Sequence, residues 1–229
     1  MTRILYALAG ADRSRPFSPH VWKVVLALAH KGLPYETAAV GFTDIPAIEG
    51  GATKTVPLLR DGDRLIVDSF AIALHLEETY PDRPSLFGGE GGKVLSRFVE
   101  SWSQTVLHTA LVRFVLLDIH DCLGPEDQAY FRRSREVRFG KSLEAVVEAG
   151  AGEIETLAAK LEPLRVLLGK QPYFGGETPS FADYIVFGPL QWARIVSPKT
   201  ILAAGDPVTD WFERCLNLHG GVGRSVTAA

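Results

Sequence analysis

Apolar positions along the chain change period once, near residue 80. Before it they come in short runs: Ile4-Leu5-Tyr6-Ala7-Leu8, Val56-Pro57-Leu58-Leu59 and Leu65-Ile66-Val67. Runs of that length bounded by Gly, Pro and Asp predict strands over 4–8, 56–59 and 64–67, and a further strand is expected over 34–40. Asp61-Gly62 is a tight-turn signal that joins the third and fourth strands as a hairpin. Between the first two strands, Val21, Val24, Val25 and Leu28 recur at helical spacing on one face. Ser18-Pro19 opens that helix, Ser as N-cap and Pro at the first helical position, and Lys31-Gly32 stops it. Residues 41–54 read as irregular, with one helical turn near 44–48. A second helix runs from Ser69 to about Thr79 on Phe70, Ile72, Ala73, Leu74 and Leu76.

Beyond Tyr80-Pro81-Asp82-Arg83-Pro84 and the glycines at 88–92, the pattern is helical throughout. Leu95, Phe98, Val99, Trp102 and Val106 form a stripe that continues towards Phe114 and Leu117. Gly124-Pro125 restarts a helix that should run to about Val147. A third covers 153–168 with Ile154, Leu157, Ala158, Leu161 and Leu168 inward and a kink at Pro163. Ser180-Phe181-Ala182-Asp183 has the form of a capping box ahead of a strongly apolar helix over 184–195, expected at the centre of this half. Pro207–Leu218 is the last helix, and Gly220 onward reads as a tail. The order βαβ, loop, ββα describes a thioredoxin-like α/β domain over 1–82, followed by an all-helical domain over 90–229.

Composition changes this picture little. Of 229 residues 46% are hydrophobic and 22% charged, as in globular proteins. A formal charge of −3 gives no reason to expect nucleic acid or an acidic membrane as partner. Arg132, Arg133, Arg135 and Arg138 read as a solvated helix face. Two cysteines, Cys122 and Cys215, form no CxxC and suit a reducing compartment. No apolar run approaches the ~20 residues that span a bilayer, and the N-terminus has no signal-peptide pattern, so a cytoplasmic protein is expected. Six histidines without an HxxxH pair argue against a metal site, and His120 is read as structural.

The chemistry centres on residues 55–69. Pro57 cannot donate to a strand ladder. With a cis bond before it, the Val56 backbone would face outward, where an extended peptide can pair as an added strand. Asp68-Ser69 stands at a helix start, which favours a carboxylate. A backbone grip beside an anion grip suits a small acidic peptide, and glutathione is the obvious candidate.

A thioredoxin-like unit followed by a helical domain resembles the cytosolic glutathione transferases over nearly the whole chain. The carriers are Ser18 at the first helix, Val56-Pro57, Asp68-Ser69, Tyr80-Pro81 and Ser180-x-x-Asp183. Phe17-Ser18-Pro19-His20-Val21-Trp22, His30-Lys31-Gly32, Gly41-Phe42-Thr43, Leu117-Asp118-Ile119-His120-Asp121 and Phe181-Ala182-Asp183-Tyr184 resemble the β-etherase-like and fungal-type branch. The resemblance implies an enzyme, usually homodimeric, in which Ser18 holds the glutathione sulfur as thiolate. Tyr6 is the rival donor, because other classes use a tyrosine there. A cysteine-type enzyme is disfavoured, since the first domain holds no cysteine and Arg15 stands where some relatives carry one. Val56, Pro57, Asp68 and Ser69 would hold glutathione, with Lys54 and Thr43 as candidates for its glycine carboxylate. Phe17, Trp102 and Phe114 are candidates for a hydrophobic second-substrate site between the domains. The implied reactions are detoxifying conjugation of an electrophile or cleavage of an aryl ether. The alternatives are a non-catalytic, ligandin-like carrier and a glutathione-dependent isomerase or peroxidase.

Overall fold

Four strands form one mixed sheet in the order β2-β1-β3-β4: β1 Arg3–Leu8, β2 Glu36–Val40, β3 Leu58–Asp61 and β4 Arg64–Val67. The computed structural model describes residues 2–229, apart from the side chains of residues 153, 154, 155 and 158. The inward facing expected of Ile154 and Ala158 lies outside the described residues. β1 pairs parallel with β2, because helix α1 (Pro19–His30) carries the chain back across the sheet, and antiparallel with β3. In the hairpin Asp61 pairs with Arg64, so Gly62 and Asp63 make the turn, Gly62 at φ 61°. Helix α2 (Ser69–Thr79) closes the unit.

The second half is helical. α3 (Glu90–Trp102) runs through a wide π-helical segment (Ser103–His108) into α4 (Thr109–Asp121), followed by α5 (Pro125–Phe139), α6 (Leu143–Ala149), α7 (Glu153–Lys160) and α8 (Glu162–Leu168). α9 (Phe181–Val196) is the central helix, buried at every position except Arg194. Both arms of its capping box are present, and Asp183, wholly buried, accepts from the Phe174, Gly175 and Ser180 backbone N–H groups and from Trp211 Nε1. Burial pushes the Asp183 carboxyl above its ordinary value against these bonds, so its role is to fix the α9 entry. The helix α10 (Pro207–Gly221) completes the layer against α8 and α9.

α1 lies between the sheet and α9, and it touches α9 more than any other element does. Gly188 permits that approach: a Cβ there would sit 2.2 Å from the Pro19 carbonyl oxygen, one residue beyond Ser18. The interdomain core therefore bears directly on the start of α1.

Four expectations need correction. The helix expected over 126–147 breaks at Gly140, which takes the left-handed φ of 66°; Ser142 then caps α6. Leu95 and Phe98, read as part of a buried stripe, are exposed at 42% and 69%, with Val94 at 63%, while Ser96 and Val99 are buried. α3 turns its apolar face outward. The single stripe from 95 to 117 is also interrupted by the π-helical segment, which rotates α4 relative to α3. Residues after Gly220 are no loose tail. They fold back on α9, with Gln191 Nε2 donating to Gly223 O (2.7 Å) and Arg194 to Val226 O (2.9 Å).

Candidate active site

The loop after β1 delivers Ser18 to the α1 N-terminus. Its Oγ accepts from the Val21 N–H at 3.4 Å, a long capping bond, and the hydroxyl proton has no acceptor among the described residues. Ser18 is 3% exposed, yet it lines an interdomain cavity of about 700 Å³. Such a volume lies within the range of small-molecule sites. A hydroxyl in this position has an open donor, with the α1 N–H groups behind it.

The segment expected to grip a peptide lies beside it. The Val56–Pro57 bond is cis, and Lys54, Thr55 and Val56 form one side of the cavity. Leu58 pairs with Val67, so the antiparallel register carries Asp68-Ser69 alongside Val56-Pro57. Asp68 caps α2, its Oδ1 accepting from Phe70 and Ala71 N–H at 2.9 and 3.0 Å. It does so at φ 80°, a conformation that costs a residue with a Cβ about 1–3 kcal/mol. Ser69 is 1% exposed, and its Oγ is buried without a hydrogen-bond partner among the described residues. An orphaned hydroxyl at a helix start fits an incoming carboxylate. Lys23, fully buried one turn into α1, has its Nζ 3.7 Å from Glu100.

The rest of the wall comes from the helical domain: His108, Val112 and Ile119, then Tyr130, Phe131, Arg135 and Arg138 of α5, and Trp192 of α9. His20, also on the wall, stacks on His108 at 5.7 Å between centroids, and His108 stacks on Trp192 at 5.0 Å. Burial lowers the His20 pKa to about 3 and that of His108 to about 4, each helped by the charge on Lys23. Both imidazoles are neutral near pH 7 and serve as flat, polar wall.

Comparison with known proteins decides the family. A model of the glutathione S-transferase C-terminal domain matches residues 94–218, more than half of the chain, and a model of the N-terminal domain of the same family matches residues 14–84. The chain belongs to the glutathione S-transferase family.

Relatives agree with that. The glutathione S-transferase-like protein ustS of Aspergillus flavus is 27% identical over 221 residues, covering 83% of this chain and 78% of its own. The solved glutathione transferase GSTFuA3 from Phanerochaete chrysosporium is 28% identical, with a TM-score of 0.69 over 96% of this chain and 92% of that one. The glutathione S-transferase CsGST63524 of Ceriporiopsis subvermispora, solved in complex with glutathione, is 26% identical, with a TM-score of 0.75 over 97% and 93%.

In this transferase the expected site residues divide. Ser18, Phe17, Lys54 and Val56 meet on the cavity wall, with Pro57, Asp68 and Ser69 adjoining it. Thr43 does not join them: its N–H and Oγ1 both donate to Asp127, at 2.8 and 2.9 Å, and fasten the loop after β2 to α5. Trp102 and Phe114 are half-buried outside the wall, and Phe114 lies under Lys199 Nζ at 4.9 Å. Tyr6 is absent from the wall as well. Its hydroxyl donates to Glu49, a bond that pushes its pKa up, with burial adding to the shift. Arg15 ties the loop before Ser18 to α9 through Ile195 O at 2.7 Å. Both cysteines are free thiols pushed up by burial, Cys122 to about 11.

Sequence reasoning missed His20, His108, Trp192, Arg135 and Arg138. A signal for the arginines was present: Phe131, Arg135 and Arg138 stand at i, i+4 and i+7, so the buried phenylalanine marks which arginines face inward.

Proposed function

We propose that this glutathione S-transferase holds the glutathione sulfur as a thiolate with the Ser18 hydroxyl and directs it at a hydrophobic electrophile in the interdomain cavity. The observation that carries the reading is the open Ser18 donor on the cavity wall at the α1 N-terminus. A free thiol titrates near ~8.5, and lowering that by about two units needs roughly 2.7 kcal/mol. A hydrogen bond to a charged group contributes about 1.5–3 kcal/mol and a helix N-terminus roughly 0.3–1, so the two suffice without a metal or a general base. The Val56 backbone aligns the cysteinyl unit, Asp68 and Ser69 take the γ-glutamyl end, and Lys54 the glycine carboxylate. In the reaction sulfur forms a bond to the electrophilic carbon, the leaving group departs with its electron pair, and the thiol proton passes to solvent. An aryl ether is one such electrophile, with phenoxide as leaving group; the aromatic wall of Phe17, Phe42 and Trp192 suits it.

The outward apolar face of α3, Val94, Leu95 and Phe98, supports the homodimer that the resemblance implies, and no helix among the described residues is long and apolar enough to cross a membrane. We assign the protein to the cytoplasm on the family resemblance. Steady-state conjugation of 1-chloro-2,4-dinitrobenzene tests the catalytic reading. The expected result is turnover that falls about a hundredfold in Ser18→Ala with glutathione still bound. A chain that binds glutathione and the aromatic but never joins them would be a carrier.

A further inference from the structure

The cavity wall carries three cations, Lys54, Arg135 and Arg138, and no carboxylate among the described residues. The chain as a whole has 27 acidic against 24 basic residues, so the excess is local. Pairing on α5 sharpens the contrast. Arg132 meets Glu136 at 3.2 Å and Glu144 at 2.9 Å, whereas neither Arg135 nor Arg138 meets any carboxylate among the described residues. Arg135 is half-buried, with its guanidinium over the Phe131 ring at 4.6 Å and the Phe42 ring at 5.3 Å. Its Nη1 donates to Ser134 Oγ at 3.0 Å, which leaves most of its fork of donors open. Burial and the neighbouring Arg138 charge both lower its pKa. Of these two like charges without a carboxylate among the described residues, Arg135 is half-buried between Phe42 and Phe131, a setting that favours a ligand supplying the anion.

We propose that the electrophile this cavity takes is an aromatic carboxylate, its ring among Phe42, Tyr130 and Phe131 and its carboxylate on Arg135 and Arg138. A guanidinium matches a carboxylate bidentately, and the rings that hold Arg135 flat pre-form the fork. The inference rests on the reading of this cavity as the electrophile site, and its test is separable from turnover.

The test is calorimetric titration of the full-length protein with 3,5-dinitrobenzoate and with 1,3-dinitrobenzene, two rings that lack a halide leaving group. The wild type should bind the benzoate at least about tenfold more tightly than the neutral ring, a difference of ~1.4 kcal/mol. Arg135→Gln with Arg138→Gln should bring that ratio close to one, and Arg135→Lys should retain most of it. Arg138→Gln alone, at an exposed position, should lower the ratio severalfold and serves where the double variant does not fold. Equal affinity of the wild type for the two rings, or a ratio that Arg138→Gln leaves unmoved, overturns the proposal. So does a double variant that loses glutathione affinity while keeping the benzoate preference, since the guanidiniums would then serve the peptide. A protein that prefers the benzoate yet conjugates nothing would uphold the anion site and remove the catalytic reading.

Discussion

Ser18 shows how one residue can carry two roles. Its Oγ caps α1 weakly while the same hydroxyl keeps a free proton for a ligand. Tyr6 lacks that freedom, because Glu49 holds its hydroxyl. Tyr6→Phe should therefore leave kcat/KM for conjugation within about twofold, and a loss of tenfold or more in a steady-state assay would restore it as the sulfur's partner. Ser69 offers the complementary case. If its orphaned Oγ takes the γ-glutamyl carboxylate as proposed, Ser69→Ala should raise the glutathione KM by roughly tenfold, about one charge-assisted hydrogen bond, with a smaller change in kcat. The placement of these residues at the cavity was legible because each has a local signal: a cap before Pro19, a proline opening a strand, an acid-serine pair before a helix. Arg135, Arg138, His108 and Trp192 were not, because only tertiary packing decides which side of a helix meets a cavity. Thr43, Trp102 and Phe114 lie off the wall for the same reason, Thr43 and Phe114 being turned to Asp127 and Lys199 and Trp102 packed against the core.

At the scale of elements, the sheet and the flanking helices followed from period and punctuation, since strand runs, caps and the hairpin turn are short-range. The helical half was legible in outline, and its errors are long-range. α3 shows an apolar stripe whether it meets its own core or another surface, so periodicity could not tell which. Gly140 was missed as a stop because the apolar pattern continues past it into α6. Its left-handed φ makes the break, and a Cβ there would meet nothing within 4 Å. Gly140→Ala should thus cost only the backbone conformation, about 1 kcal/mol in chemical denaturation, with activity retained. Gly188→Ala should be far worse: the new methyl would strike the Pro19 carbonyl and push α9 away from the start of α1. We expect it to lower both stability, by roughly 1–3 kcal/mol, and conjugation rate, read in the same two assays.

For the molecule as a whole, the cavity is a property of neither half. β1, the loop before β3 and the start of α1 supply one side, while the π-helical segment, α4, α5 and α9 supply the other. This junction also sets a pH dependence. His20 and His108 titrate near 3 and 4 in the folded protein and near ~6.5 when unfolded, so the unfolded chain binds more protons between those limits. Stability should be fully present above about pH 6.5 and should fall as pH drops towards 4. Melting curves across that range check it, and the slope should flatten in a His20→Gln, His108→Gln variant.

The proposed catalysis depends most on the state of the sulfur. Thiolate absorbance near ~240 nm, followed across pH for glutathione bound to the wild type and to Ser18→Ala, reads that state directly. Bound glutathione should titrate about two units below the free thiol's ~8.5 in the wild type and return to within about half a unit of it in Ser18→Ala. An unshifted thiol in the wild type, or a shifted one that survives loss of the Ser18 hydroxyl, would contradict the account.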